Sequence, residues 1–287
     1  MRASPINLLL ALSPAILASG LILYTAGVGL QVMLIQAAAV LLLLGIGLLG
    51  SRFFKRIATQ RGWFGVMLVA VLVCCISFTT ATEGPDRWLR VGPVNLYLAP
   101  VVLPLVLVAI ASLVHQHRSV LFSGLSGLVL MAFVLALQPD LSQVIALSLG
   151  VVVCCLVLRV NGVVVAGMAV LLGLAVLIAA LQPDPLKPVP YVEGVFALGF
   201  EHSAIVGMLI LSGAILFLVL LAKQLWATNL GLIGVVVYYA SLFVLSTFGL
   251  TPAPLIGFGA GPIIGYGLMV AVLTAGWSSP GPATRET

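Results

Sequence analysis

Charge is what this chain has least of. Of 287 residues, 12 are lysine or arginine, 7 are aspartate or glutamate and 3 are histidine. A soluble domain of this size cannot clothe its surface with so few ionisable groups, so a soluble enzyme is excluded. Cysteine is nearly as scarce. The four stand as Cys74-Cys75 and Cys154-Cys155 inside apolar stretches. Neighbours on a regular helix cannot both point at one metal, and no Cys-x-x-Cys spacing occurs. They read as small buried apolar side chains. His115 and His117 flank Gln116 beside Arg118 in a turn with too few ligands for a metal, and read as a solvated polar loop. Gly257-x-Gly259-x-Gly261 follows no strand and opens an apolar helix, which excludes a nucleotide-binding loop. Small residues at Gly261, Gly265 and Gly267 instead let that last helix pack closely on a neighbour.

Hydrocarbon is what the chain has in abundance. It is 62% apolar, and the apolar residues fall into ten runs, near 6–24, 32–50, 63–80, 96–114, 119–137, 141–158, 163–181, 194–222, 230–249 and 261–277. Most match the roughly 20 residues that cross a bilayer as helix. The expected fold is an all-α polytopic membrane protein of ten transmembrane helices, a single integral membrane domain over residues 1–287. The eighth run is longer, and is read as one helix that tilts or extends past the membrane. The first run lacks the cleavage site of a signal peptide and is read as a retained helix.

Basic residues set the expected topology. With the N-terminus in the cytoplasm, Arg2, Arg52, Lys55, Arg56, Arg61, Arg118, Arg159, Lys223 and Arg285 collect on one side, against Arg87, Arg90 and Lys187 on the other. Both termini are then cytoplasmic. The acidic residues run the opposite way, with Glu83, Asp86, Asp140, Asp184 and Glu193 outside and Glu286 inside. The net charge of +5 is thus a topology signal and not a nucleic-acid patch.

Four polar islands interrupt the apolar runs, all on the outer side: Arg87 to Pro93, Gln138 to Leu141, Pro188 to Glu193, and Pro252 to Gly259. Ionisable groups in or near lipid are costly and are where chemistry is to be sought. Arg87 and Arg90 beside Trp88 suit a phosphate or pyrophosphate headgroup, or are snorkelling arginines around an interfacial aromatic. Asp140, after Pro139, is either a helix cap or a functional contact. Glu193 is either a general base with a proline-fixed backbone or an acid complementing a helix dipole. Glu201 and His202, two turns further along the same run, are expected to face other helices or a cavity. Pro252-Ala253-Pro254-Leu255-Ile256-Gly257-Phe258-Gly259 reads as a re-entrant or cavity-lining segment.

In this order the islands resemble the SEDS family of FtsW, RodA and SpoVE, ten-span bacterial membrane proteins that polymerise glycan strands from lipid II. The family's Arg-Trp-Ile-x-x-Gly-Pro is similar to Arg87, Trp88, Gly92 and Pro93. Its Gln-Pro-Asp-Leu-Gly-Thr is matched by Gln138 to Leu141, departing at Ser142 and Gln143. Its Thr-Asp-Phe-Ile-Phe-Ala with a following Glu-Glu-x-Gly resembles Val192 to Ala197 with Glu201, and its Pro-Leu-Pro-Phe-x-Ser-Tyr-Gly-Gly resembles Pro252 to Ala260. The resemblance covers essentially the whole chain. The departures are as definite. The family's aspartate base falls on Glu193, Gln-Pro-Ser-Glu has become Tyr97-Leu98-Ala99-Pro100, the outer loop before Glu193 is short, and Gly257 and Phe258 replace serine and tyrosine.

The resemblance implies a SEDS-like bundle with an outward-facing cavity in the bacterial cytoplasmic membrane, and a glycosyltransferase acting on lipid II or another polyprenyl-linked glycan precursor. Glu193 would be its catalytic base, with Arg87, Trp88, Arg90, Asp140, Pro252 and Pro254 at the substrate. Arginines, or a divalent cation, would neutralise the departing pyrophosphate. No other cofactor is implied. The expected partner is a class B penicillin-binding protein. Two alternatives stand beside this reading: a non-catalytic membrane subunit that binds a penicillin-binding protein or division proteins, and a lipid-linked-precursor flippase.

Overall fold

The computed structural model describes residues 4–54, 60–80, 87–91, 94–116, 121–182 and 189–276. Lys187, Gly92 and Pro93 lie outside them, as do the side chains of Arg90 and His115. The helices are α1 (Pro5–Thr25), α2 (Leu30–Phe54), α3 (Gln60–Thr80), α4 (Ala99–Gln116), α5 (Leu121–Leu137), α6 (Leu141–Val157), α7 (Gly162–Ala180), α8 (Val195–His202), α9 (Ala204–Trp226), α10 (Ile233–Thr247) and α11 (Ala260–Gly276). A 3-10 turn, Leu230–Leu232, leads into α10. Among the described residues, five stretches (α1, α2, α7, α9 and Leu230–Thr247) are long and apolar enough to cross a membrane, and shorter apolar helices fill the remaining runs. The protein is an α-helical, multi-pass membrane protein.

Helix boundaries follow local chemistry. Asp140 caps α6 by accepting the N–H of Gln143, Asn161 caps α7 through Val163, and Ser203 caps α9 through Val206. Each satisfies backbone N–H groups that a helix start leaves without partners.

The all-α expectation holds for the bundle, with one small addition in a connection: Trp88–Val91 (β1) and Val94–Tyr97 (β2) pair antiparallel, with Trp88 opposite Tyr97 and Arg90 opposite Asn95. The strands hold the β-branched and aromatic residues that favour pairing, among them Trp88, Val91, Val94 and Tyr97. The eighth run is not one helix. Ser203 is extended (φ −169°, ψ 157°), which separates α8 from α9. Gly199 packs against Gly207 and Ile210, so the chain folds back on itself. Apolarity continues across Ser203, and hydropathy alone cannot register such a break.

The core is built around α11. Gly265 of α11 lies against the Pro100 carbonyl of α4, and Gly267 against the backbone of Leu43 on α2. The close packing expected of these glycines is present. Phe217, Tyr239, Phe243 and Tyr266 interlock α9, α10 and α11, with centroids 5.5–6.2 Å apart. Three of the four free cysteines are buried and Cys75 is half-buried, as small apolar side chains would be.

Candidate functional site

The hairpin stands over the α5–α6 connection. Tyr97, the last residue of β2, is buried and directs its hydroxyl at Asp140, donating to Oδ1 at 2.8 Å and Oδ2 at 2.7 Å. The Ser142 hydroxyl and the Gln143 N–H also donate to Oδ1, at 3.3 and 3.4 Å. Asp140 has 0% exposure. Burial raises its carboxyl above the usual aspartate range, while the nearby Arg87 charge and the Tyr97 hydrogen bond oppose that rise. Trp88 stacks on Tyr97, centroids 5.4 Å apart and planes 23° from parallel. The Arg87 guanidinium carbon lies 6.0 Å from the Tyr97 centroid, and Nη1 donates to the Pro139 carbonyl at 3.4 Å. The Trp88 Nε1–H is enclosed without a hydrogen-bond acceptor among the described residues. Beneath, Gln138 donates to the Cys74 carbonyl at 2.6 Å, and Tyr238 to Gln143 Oε1 at 2.7 Å.

The other two islands are tied to each other through their backbones. Glu193 closes a turn, its Oε2 accepting the Val189 N–H at 2.7 Å. The carbonyls of Val192 and Tyr191 in that turn accept the N–H groups of Ala253 and Phe258, both at 3.0 Å. Tyr191 and Phe258 also meet edge to face at 6.3 Å. Ala253, Leu255 and Ile256 are fully enclosed. Irregular backbone at membrane depth persists only where protein satisfies it, and here the Glu193 turn does so. A Cβ at Gly257 would overlap the Val192 carbonyl.

Tyr97 also joins the two halves. Gly261, in the first turn of α11, lies against the Tyr97 carbonyl, 2.6 Å from where a Cβ would stand. Contacts thus run without interruption from Glu193 through Pro252–Gly259 and Tyr97 to Asp140 and Arg87. The islands form two contacting pairs, bridged where Gly261 meets Tyr97.

No family model matches the chain. A stretch of 95 residues is 32% identical to a protein of Shewanella sediminis named probable peptidoglycan glycosyltransferase FtsW. It amounts to 31% of this chain and 22% of that protein, so the match spans about a fifth of the relative's length. Two solved structures match far more broadly. The rod shape determining protein RodA of Thermus thermophilus superposes with a TM-score of 0.68 at 20% identity, over 93% of this chain and 94% of that chain. A chain of a peptidoglycan synthase complex that coordinates polymerization and crosslinking gives 0.66 at 18% identity, over 93% and 96%.

This chain has the RodA fold.

The resemblance read from the islands is therefore borne out as architecture. Within the RodA fold, Arg87, Trp88 and Asp140 come together, and Glu193 comes together with the segment holding Pro252 and Pro254. Glu201 and His202 do not face other helices as expected. Both are exposed, because the reversal at Ser203 puts them at the tip of the α8–α9 hairpin and not two turns deeper along one helix. Sequence reasoning missed Tyr97, Gln143 and Tyr238. Tyr97 had registered only as a departure from a motif, and a hydroxyl's partner 43 residues away leaves no periodic signal. Among the described residues, no group of three or more His, Cys, Asp or Glu side chains gathers to hold a metal.

Proposed function

We propose that this chain is a member of the SEDS family, a glycosyltransferase that polymerises undecaprenyl-pyrophosphate-linked sugars such as lipid II, crossing the membrane ten times with both termini in the cytoplasm. In the reaction, a sugar hydroxyl attacks the anomeric carbon of a second lipid-linked sugar. The new C–O bond forms as the bond to pyrophosphate breaks. Glu193 takes the hydroxyl proton, and the pyrophosphate leaves with its charge met by Arg87. Asp140 and Tyr97 act behind Arg87, fixing the surface it projects from.

What supports this reading is a RodA fold in which Arg87 and Asp140 gather at Tyr97, the Glu193 turn docks on the Pro252–Gly259 segment, and Gly261 against Tyr97 bridges the two. The test is polymer formation from purified lipid II with the cognate class B penicillin-binding protein present. Glu193→Gln is expected to abolish polymer while leaving expression and partner binding intact, because an amide cannot take the proton. Glu193→Asp, which shortens the side chain by one methylene, is expected to retain activity within about 10²-fold, the cost of a ~1 Å displacement. A wild-type protein that binds its partner and makes no polymer would overturn the enzyme reading.

One observation favours a second reading, a non-catalytic subunit that holds a penicillin-binding protein. The Glu193 carboxylate already closes its own turn at 2.7 Å, a structural task any helix-dipole acid performs. On that reading, Glu193→Gln weakens the turn and leaves partner binding as the chain's whole role.

A further inference from the structure

Gln36 stands on α2, six residues from its start at Leu30, and is 6% exposed. At 1.5 Å per residue it lies about 9 Å below the helix end. Its surroundings are apolar: Ile16, Leu23, Met33 and Val40 wall a groove of about 450 Å³ between α1 and α2, whose polar groups are Gln36 and Ser19. A primary amide there costs free energy unless its groups are paired. Both of its ends are. Nε2 donates to Ser19 Oγ at 3.0 Å and to the Gly257 carbonyl at 3.4 Å, and Oε1 accepts the Gly259 N–H at 3.2 Å.

The side chain therefore does for Gly257–Gly259 what a neighbouring strand would do, taking one carbonyl and one N–H of an otherwise irregular backbone. That backbone is the one docked on the turn of Glu193, through Ala253 to Val192 and Phe258 to Tyr191. We propose that Gln36 is a positioning residue: from α2 it holds the Pro252–Gly259 segment at its depth, and through that segment it holds Glu193 in place. Ser19 orients the amide so that its donor faces Gly257 and its acceptor Gly259. The role in turnover rests on Glu193 being the base, as argued above; the role in holding the segment does not.

Gln36→Leu in the full chain, purified with its partner, separates the two. Hydrogen exchange at the amides of Phe258 and Gly259 should quicken by about tenfold, the loss of roughly 1.4 kcal/mol of local protection, with the Tyr97–Asp140 end unchanged. Polymerisation from lipid II should lose kcat by a similar factor with KM within about twofold, because the base moves while the pyrophosphate contacts stay. Gln36→Glu keeps an acceptor for Gly259 and loses the donor to Gly257, and should fall between. If Gln36→Leu fails to fold, Ser19→Ala should give the same pattern at reduced size. Unchanged exchange at Phe258 and Gly259 in both variants would overturn the proposal. So would a rise in KM at constant kcat. Quickened exchange in Gln36→Leu, together with a wild-type protein that makes no polymer, would keep the positioning role and reject the glycosyltransferase reading.

Discussion

Asp140 is the buried carboxyl at the centre of the Tyr97 cluster, and its protonation sets a measurable signature. Its value is raised in the folded protein, foremost by burial, with Arg87 opposing. A raised carboxyl contributes stability below its unfolded value and loses that contribution as pH rises through the folded value. Asp140→Asn cannot lose a proton. The melting temperature of the wild type should therefore fall relative to Asp140→Asn as pH is taken from about 4 towards 8 in detergent. A constant gap would mean that Asp140 titrates as it does when unfolded. Tyr97→Phe keeps the ring on which Trp88 stacks and removes the hydroxyl donated to both carboxylate oxygens. It should cost about 1–3 kcal/mol in the same assay.

At this scale the residues of the candidate site were partly legible in sequence. Arg87, Asp140 and Glu193 stood out because charge is rare here, and Trp88 because it is the aromatic between two arginines. Tyr97 and Gln36 did not. Their functional contacts are to residues 43 and more than 200 positions away, and nothing local marks a tyrosine or glutamine as paired. The glycine at 257, a departure from the SEDS pattern, acquires a reason only in three dimensions, where the Val192 carbonyl occupies the space a Cβ would need.

At the scale of elements, the ten apolar runs located the helices to within a few residues, because hydrocarbon length and helix rise are fixed quantities. The break at Ser203 and the β-hairpin escaped, since neither changes hydropathy. Pairing between helices also escaped. Gly150 of α6 and Gly234 of α10 touch backbone to backbone, and a Cβ on Gly150 would stand 2.7 Å from the Gly234 carbonyl. Gly173, by contrast, faces open space on α7. Gly150→Ala should therefore force α6 and α10 apart and cost about 1–3 kcal/mol. Gly173→Ala should be neutral or gain up to about 1 kcal/mol from helix propensity. Thermal unfolding of the two variants side by side checks the contrast, and equal effects would mean that the α6–α10 seam is loose.

For the whole molecule, the distribution of basic residues predicts which end of the bundle faces outward. In a background with the four native cysteines replaced, an impermeant maleimide added to intact cells should label a cysteine at Val189, which is 37% exposed. It should miss one at Arg159, which is exposed at the opposite end. The reverse pattern would place the islands in the cytoplasm and remove any extracellular glycan chemistry.

The partnership of the first helices with the last bears on how the chain is made. α2 packs most extensively on α11, and α1 on α9, so the helices that leave the ribosome first have their main partners near the far end of the chain. Until translation is nearly done, α1 and α2 must wait in the bilayer with their glycine-matched faces uncovered. Assembly of this kind is slow and late, dominated by contacts distant in sequence. A nascent chain stalled before α11 would hold the Gln36 face of α2 bare to lipid, a defect that membrane quality control can detect before any enzymatic failure is possible.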